Sequence, residues 1–241
     1  MKKIIGIFAT VAFMAFAIVS CEDPKNTTDG YIEGLFTIHG HHVIPETSDT
    51  MYYVNNMNEF GLKTGERGIM RIKYEYDSFM GPLTAKWEIG KVYSLIPTRT
   101  LTAASEIDEA EMDSYFADVY NFVAYNNYGY AWVWKNIQNI NVIYYTDGSK
   151  EPDFRMSADG FANDTLKLHL WAGNITDGDN KIGELLSFDI SNAASMLDEA
   201  ERSQLVLPDT IYTTITADFG VDKNEIERAT IYTGKCANPY K

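Results

Sequence analysis

Cysteine and histidine are scarce in this chain of 241 residues, which has two cysteines and four histidines. No G-x-S-x-G, H-E-x-x-H, C-x-x-C or phosphate-binding glycine loop occurs in it. These absences exclude the serine hydrolases, zinc proteases and dithiol enzymes that such motifs identify. We therefore expect a protein that is not an enzyme and that needs no cofactor.

Basic residues are too few to balance the acidic ones. The chain has 20 lysines and arginines against 34 aspartates and glutamates, a formal net charge of -14. A surface of this charge repels nucleic acid phosphates and anionic lipid headgroups. Nucleic acid is therefore not expected as a partner, and the acidity itself is typical of a surface that favours solubility.

A long apolar run lies at the N-terminus. Lys2 and Lys3 precede the run Ile4–Val19, which ends at Ser20 and Cys21. A basic start, a short apolar core and a small residue before the cleavage point are the parts of a secretory signal. Residues 18–21, Ile-Val-Ser-Cys, resemble a bacterial lipobox, which implies removal of residues 1–20 and attachment of acyl chains to Cys21. Two or more chains anchor a protein stably in a membrane.

Residues 21–30 contain no large apolar side chain and are predicted to form a lipidated tether. Glu22 and Asp23 resemble the acidic signal that sends lipoproteins of the Bacteroides group to the outer face of the outer membrane. An ordinary polar linker explains them equally well. We expect a lipid-anchored protein of the outer membrane, and the sequence does not decide between its periplasmic and its extracellular face.

Period-two alternation, typical of half-buried strands, fills residues 31–102. Met70, Ile72 and Tyr74 alternate with Arg71 and Lys73, and the inward set changes parity at Gly90, as a bulge would cause. The pattern predicts a small curled β-barrel. Residues 103–125 look different: Ser105 begins a capping-box-like segment with apolar residues at helical spacing. We expect a helical connector there, with a helix over about 105–119.

Alternation returns over residues 126–241 and predicts an antiparallel β-sandwich. Asp147-Gly148 and Asp177-Gly178 lie between such runs and indicate hairpins. A short helical stretch is expected over residues 193–203. Cys236 is predicted to be a small buried residue, since no histidine or second cysteine lies close to it in sequence.

Several segments in this order resemble the NigD-like lipoproteins of Bacteroidota, while residues 43–49 have no counterpart in that pattern. The resemblance implies an OB-like N-terminal domain and a C-terminal β-sandwich, and it carries over no functional residues. The family name also suggests a bacteriocin-associated, immunity-like role. The segments are Met51–Val54, Phe60–Leu62, Gly65–Tyr74, Ile89–Leu101 and Trp134–Val142.

The segment 39–42, His-Gly-His-His, is the one histidine cluster. On a strand His39 and His41 would point the same way, a spacing that can grip a transition metal, with His42 beside them. No third ligand is evident, so a polar strand end is the preferred interpretation and no metal is expected.

The densest aromatic cluster has shared parity along a predicted strand. It consists of Tyr128, Tyr130, Trp132 and Trp134. These rings could form a stacking platform for sugar or peptide, but packing in the sandwich core explains them as well and is the preferred interpretation. Separately, Thr50, Thr165 and Thr210 each follow an aspartate in a pattern that resembles the O-glycosylation acceptor of this bacterial group.

Three functional hypotheses follow from the sequence. The first is a lipid-anchored, non-enzymatic accessory or binding protein of the cell envelope, with a protein, peptide or glycan partner. The second is a secreted glycan hydrolase that uses paired carboxylates, whose geometry sequence alone does not reveal. The third is the bacteriocin-associated role suggested by the family name.

Overall fold

The computed structural model describes residues 27–46, 48, 50–78, 81–82, 85–119, 129–175, 178–220 and 225–241. The described residues form two compact units, one within residues 27–94 and one within residues 95–119 and 129–241. The predicted signal peptide and the acylation site Cys21 lie outside the described residues. Within the part of the chain that is described, no helix has the length and apolar character needed to cross a membrane.

One sheet of five strands, in the order β3-β2-β1-β4-β5, forms the first unit. β1 pairs antiparallel with β4 from Thr27 onward. Residues 27–30 therefore belong to a strand, and the predicted end of the tether at residue 30 is wrong. A backbone ladder needs no apolar side chains, which is why the composition did not reveal it. The bounds are β1 Thr27–His39, β2 His42–Pro45, β3 Tyr52–Tyr53, β4 Arg67–Asp77 and β5 Lys86–Leu95.

This sheet curls, because residues just past β3 reach β5. Val54 forms a parallel bridge with Trp87. The Asn56 side chain accepts a hydrogen bond from the Ile89 N–H at 2.8 Å and donates one to the Ile89 carbonyl at 2.9 Å. The result is a partly open five-stranded barrel of the OB type. Its interior holds Phe36, Ile38, Met70 and Ile72, which are all buried, and the alternation predicted this for Met70 and Ile72.

The second unit is built from two sheets. One has the order β10-β11-β13-β14, and the other has the order β6-β12-β9-β7 with β8 also paired to β9. β6 pairs in parallel with β12, so residues 98–100 lie in this unit and not in the barrel that was predicted over residues 31–102. The bounds are β6 Thr98–Thr100, β7 Asp118–Val119, β8 Ala131–Trp134, β9 Ile137–Thr146, β10 Asp153–Ala162, β11 Thr165–Gly173, β12 Asn180–Asp189, β13 Thr210–Gly220 and β14 Ile226–Ala237.

The core of the second unit lies between these two sheets. Ile140, Leu168, Phe188 and Ile215 are each at most 1% exposed and belong to one apolar cluster. The mainly β architecture with a sandwich is confirmed. Cys236 borders the same cluster, and burial raises the pKa of its thiol to about 11.

The helix predicted over residues 105–119 is absent from the described residues, where a 3-10 turn, Ala104–Glu106, is followed by turns and β7. Phe116 is buried through strand-like pairing: its N–H donates to the Asp218 carbonyl at 2.9 Å. Contacts with the sheet thus override the helical spacing of the apolar residues. The α-helix of the described chain is α1, Glu199–Leu205, which overlaps the predicted helical stretch and begins with a capping box.

The predicted hairpin at Asp147-Gly148 is also wrong, because residues 147–152 connect β9 to β10, which belong to different sheets. Asp177 of the second predicted hairpin lies outside the described residues, and the flanking strands β11 and β12 also belong to different sheets. Tight antiparallel connections occur elsewhere in the unit. Asn163 and Asp164, both with positive φ, join β10 to β11. Lys135, also with positive φ, lies between β8 and β9.

Candidate functional site

The predicted aromatic platform is divided by burial. Tyr130 is 49% exposed, Trp134 is half-buried and Trp132 is only 8% exposed, while Tyr128 lies outside the described residues. Trp132 is in register with Asn139 on β9, whose side chain hydrogen bonds to Ser187. The three described rings therefore do not form one common exposed surface.

Strand β8 directs its small residues toward the sandwich core. Ala131 belongs to the apolar cluster between the sheets, and Val133 packs against it. By alternation, Trp132 and Trp134 are on the opposite face of the strand. The sequence favoured packing between the two sheets for these tryptophans. In the structure, their neighbours Ala131 and Val133 make that packing instead.

The three clustered histidines lie at a turn of the first unit. His39 and His42 are register partners across it, and Gly40 has φ +59°. The rings of His41 and His42 lie 6.0 Å and 5.4 Å from the ring of Tyr53. Among the described residues no group of three or more histidine, cysteine, aspartate or glutamate side chains is placed to hold a metal ion.

A different surface combines exposed aromatic rings with polar side chains on regular strands. It is the side of the sheet β10-β11-β13-β14 that is turned away from the core, called here the outer face. On β13, Ile211 and Ile215 are buried, so Tyr212, Thr214 and Thr216 point outward. The outer face includes Asp153, Arg155, Ser157 and Asp159 of β10, Lys167, His169 and Trp171 of β11, Tyr212, Thr214, Thr216 and Asp218 of β13, and Arg228, Thr230, Tyr232 and Lys235 of β14.

Two tyrosines in contact form one end of the outer face. Tyr212 is 38% exposed and Tyr232 is 62% exposed, and their ring centroids are 6.2 Å apart. Tyr232 is in register with Thr214, two residues along β13 from Tyr212, so strand alternation places both tyrosines on the same side of the sheet. Exposed aromatic rings held on paired strands offer flat surfaces at little conformational cost.

A second aromatic pair lies toward the other end. The rings of His169 and Trp171 stack with centroids 3.9 Å apart and planes 14° apart. His169 is buried, and its Nδ1 lies 3.3 Å from Oδ2 of Asp159. Burial alone would raise the pKa of Asp159, but hydrogen bonds from His169 and Ser157 and the charge of Arg228 lower it below its usual value.

A serine, a histidine and an aspartate lie together at this second aromatic pair, but they are not arranged for nucleophilic catalysis. The Ser157 hydroxyl donates to Asp159 Oδ1 at 3.0 Å and accepts from Trp171 Nε1 at 3.1 Å. A nucleophilic serine must instead donate to the base that activates it. The arrangement holds the Trp171 ring in place and does not activate the hydroxyl.

The two ends are separated by a floor of hydroxyl groups. Tyr212 and Thr216 are four residues apart on β13, about 13 Å at the rise of a strand. Thr216 is in register with His169 on one side and with Thr230 on the other. The hydroxyls of Thr216 and Thr230 lie 3.1 Å apart. A ligand along the strands would thus meet aromatic rings at both ends and hydroxyls between them.

The Arg228 guanidinium pairs with Asp218 at the edge of this floor. Its Nε and one terminal nitrogen donate to the two carboxylate oxygens at 2.8 Å and 3.0 Å. These hydrogen bonds lower the pKa of Asp218 and raise that of Arg228. The bidentate geometry fixes both groups in position.

Sequence reasoning missed this surface, although its signal was present. Alternation over residues 126–241 predicted a sandwich of strands, but it did not predict a binding surface on their outward residues. Tyr212 and Tyr232 are 20 residues apart in sequence and meet only through the β13–β14 ladder. The three threonines of the predicted glycosylation pattern are placed differently: Thr50 and Thr210 are exposed, and Thr165 is half-buried.

The fold is shared with solved structures from Bacteroides species. A protein described as a candidate lipoprotein from Bacteroides fragilis is 12% identical, with coverage of 85% of this chain and 97% of that chain and a TM-score of 0.62. A protein of unknown function, DUF1344, from Bacteroides vulgatus is 9% identical, with coverage of 84% and 90% and a TM-score of 0.54. A NigD-like immunity protein from Bacteroides caccae is 16% identical, with coverage of 85% and 92% and a TM-score of 0.49.

The first two likenesses show that this chain has a fold known from Bacteroides proteins, and the expected resemblance is confirmed at the level of the fold. No family model matches the sequence, and no curated protein matches it. None of the three similar structures is named as an enzyme.

Proposed function

We propose that the protein is a lipid-anchored, non-enzymatic binding protein of the cell envelope, and that its ligand docks on the outer face. The observation that carries the proposal is the Tyr212–Tyr232 pair, two exposed rings in contact on adjacent strands of the second unit. Exposed aromatic side chains that lie next to each other often mark interaction sites, and tyrosine is enriched where proteins bind partners. The acylated Cys21 predicted from the lipobox would supply the anchor.

The test is a binding screen with a matched pair of variants. The chain is produced from residue 22 onward, which removes only the predicted signal and the predicted acylated cysteine. It is probed against immobilised polysaccharides and a peptide array, as wild type, as Tyr212→Ala with Tyr232→Ala, and as Tyr145→Ala. Tyr145 is a suitable control because it is 42% exposed but lies on β9 in the other sheet.

We expect a bound probe to be lost with the double variant and kept with the control. Equal binding by all three proteins would refute the outer face as the docking surface. Turnover of a polysaccharide in the same screen would contradict the non-enzymatic assignment and favour the hydrolase hypothesis.

A further inference from the structure

Two lysines flank the tyrosine pair. Lys167 of β11 is in register with Thr214, which is itself in register with Tyr232. Lys235 of β14 is in register with Tyr212. Both lysines are exposed. Each tyrosine therefore has a lysine in register with it, either on the adjacent strand or one strand further across the sheet.

The charge of the outer face differs from that of the chain. Its acidic side chains, Asp153, Asp159 and Asp218, lie beside Arg155, His169 and Arg228 respectively. Lys167 and Lys235 add to these pairs, so the face has more basic than acidic side chains. The whole chain has a net charge of -14. A local cationic area on an acidic protein attracts an anionic ligand to that area.

The chemistry between the aromatic pairs favours a hydroxylated ligand. Thr214, Thr216 and Thr230 present hydroxyls that can both donate and accept hydrogen bonds. Within the described residues, the outer face has no cluster of aliphatic side chains of the kind that forms the apolar centre of a protein–protein interface. Aromatic faces, hydroxyls and a small excess of ammonium groups together match the surface of an acidic sugar chain.

We propose that the ligand of the outer face is an acidic oligosaccharide. A sugar ring stacks on Tyr212 and Tyr232, its carboxylate or sulfate meets Lys167 and Lys235, and the chain continues over the threonines toward Trp171. This inference rests on the proposed function and specifies its ligand class. It predicts that affinity rises with oligomer length until the ligand spans the stretch of β13 from Tyr212 to Thr216, about 13 Å, and then levels off.

The experiment compares acidic polysaccharides with neutral ones by affinity electrophoresis and calorimetry. The acidic set is polygalacturonate, alginate, hyaluronan and chondroitin sulfate, and the neutral set is dextran and galactomannan. Methyl-esterified polygalacturonate is a matched control, because it keeps the backbone and removes most of the negative charge. The chain is again used from residue 22 onward, so both units are present.

Variants separate the contribution of charge from that of stacking. Lys167→Gln with Lys235→Gln should weaken binding of an acidic polysaccharide about five- to tenfold and flatten its salt dependence, since exposed ion pairs contribute little individually. Lys181→Gln, an exposed lysine on β12 in the other sheet, should leave binding unchanged. Tyr212→Ala with Tyr232→Ala should weaken binding about tenfold or more. Because these side chains are exposed, thermal melting should show that every variant stays folded.

Two results would overturn the inference. One is that no acidic polysaccharide binds more tightly than the neutral ones. The other is that the lysine variants bind an acidic polysaccharide as tightly as the wild type does. If a peptide or a neutral glycan binds and is lost with the tyrosine variant, the ligand class proposed here fails while the outer face remains the docking surface.

Discussion

The buried ion pair of the first unit allows a quantitative test of how that unit is stabilised. Arg67 and Glu46 are 3% and 4% exposed, and Arg67 Nε donates to Glu46 Oε1 at 2.6 Å. Arg67 begins β4, Glu46 follows β2, and Thr37 of β1 is in register with Arg67. The pair therefore joins three neighbouring strands at one end of the sheet.

Replacing Arg67 with Met should leave the Glu46 carboxylate buried without its cation. Removal of one partner of a buried ion pair costs about 3–5 kcal/mol, because the remaining charge has lost its compensation in a low-dielectric interior. Glu46→Leu should cost a similar amount for the same reason. The double variant, Glu46→Leu with Arg67→Met, removes both charges and should regain most of that loss, about 2 kcal/mol or more relative to either single variant.

Urea denaturation monitored by circular dichroism measures the free energies of unfolding. Hydrogen exchange of β1 and β4 peptides assigns the change to the first unit. Arg155→Met is the matched control, since Arg155 pairs with Asp153 in a part of the surface where both side chains are about one-third exposed. It should cost less than about 1 kcal/mol. The reasoning is refuted if Arg67→Met also costs less than that, or if the two single losses simply add in the double variant.

Three further predictions concern single groups. The Cys236 thiol, with its pKa raised to about 11 by burial, should not react with a thiol reagent at about pH 8 until the chain is unfolded; fast reaction of the native protein would contradict its burial. Cys21→Ala should move the protein from the membrane to the soluble fraction in its native host, and unchanged partition would exclude acylation there. Asp159, whose pKa is lowered in the fold, stabilises the protein above the ordinary carboxyl pKa and loses that contribution as pH falls through its folded pKa. Acid unfolding of Asp159→Asn should accordingly show a weaker pH dependence below about pH 4 than that of the wild type.

Alternation predicted most strands and their inward residues correctly, because burial on one side of a sheet imposes period two directly on the sequence. Met70 and Ile72 are examples, and both are fully buried. The connections were harder to predict. Asp147-Gly148 has the composition of a tight turn, and Gly148 does have positive φ. A turn residue specifies local backbone geometry, but it does not determine which sheet the next strand joins.

Residues 105–119 show how contacts distant in sequence can override a local pattern. Met112 and Phe116 have helical spacing and are both buried, as an amphipathic helix would require. The backbone instead pairs with other segments: the Ser114 N–H donates to the Ala172 carbonyl and the Gly220 N–H donates to the Phe116 carbonyl. Burial of the apolar residues was thus predictable, while the hydrogen-bond partners that select strand-like backbone were not.

The outer face depends on a polar group inside the sandwich, directly behind its tyrosines. Thr213 and Thr233 are buried, in contact through their hydroxyls, and the Thr233 hydroxyl lies 3.1 Å from Gln138 Oε1 of the facing sheet. These threonines are the sequence neighbours of Tyr212 and Tyr232, so strand alternation turns the tyrosines outward when the threonines point inward. A slip of one residue would bury the rings and leave the polar group without its partners. The interior hydrogen bonds therefore fix the register and, with it, the geometry of the aromatic pair on which the proposed binding function rests.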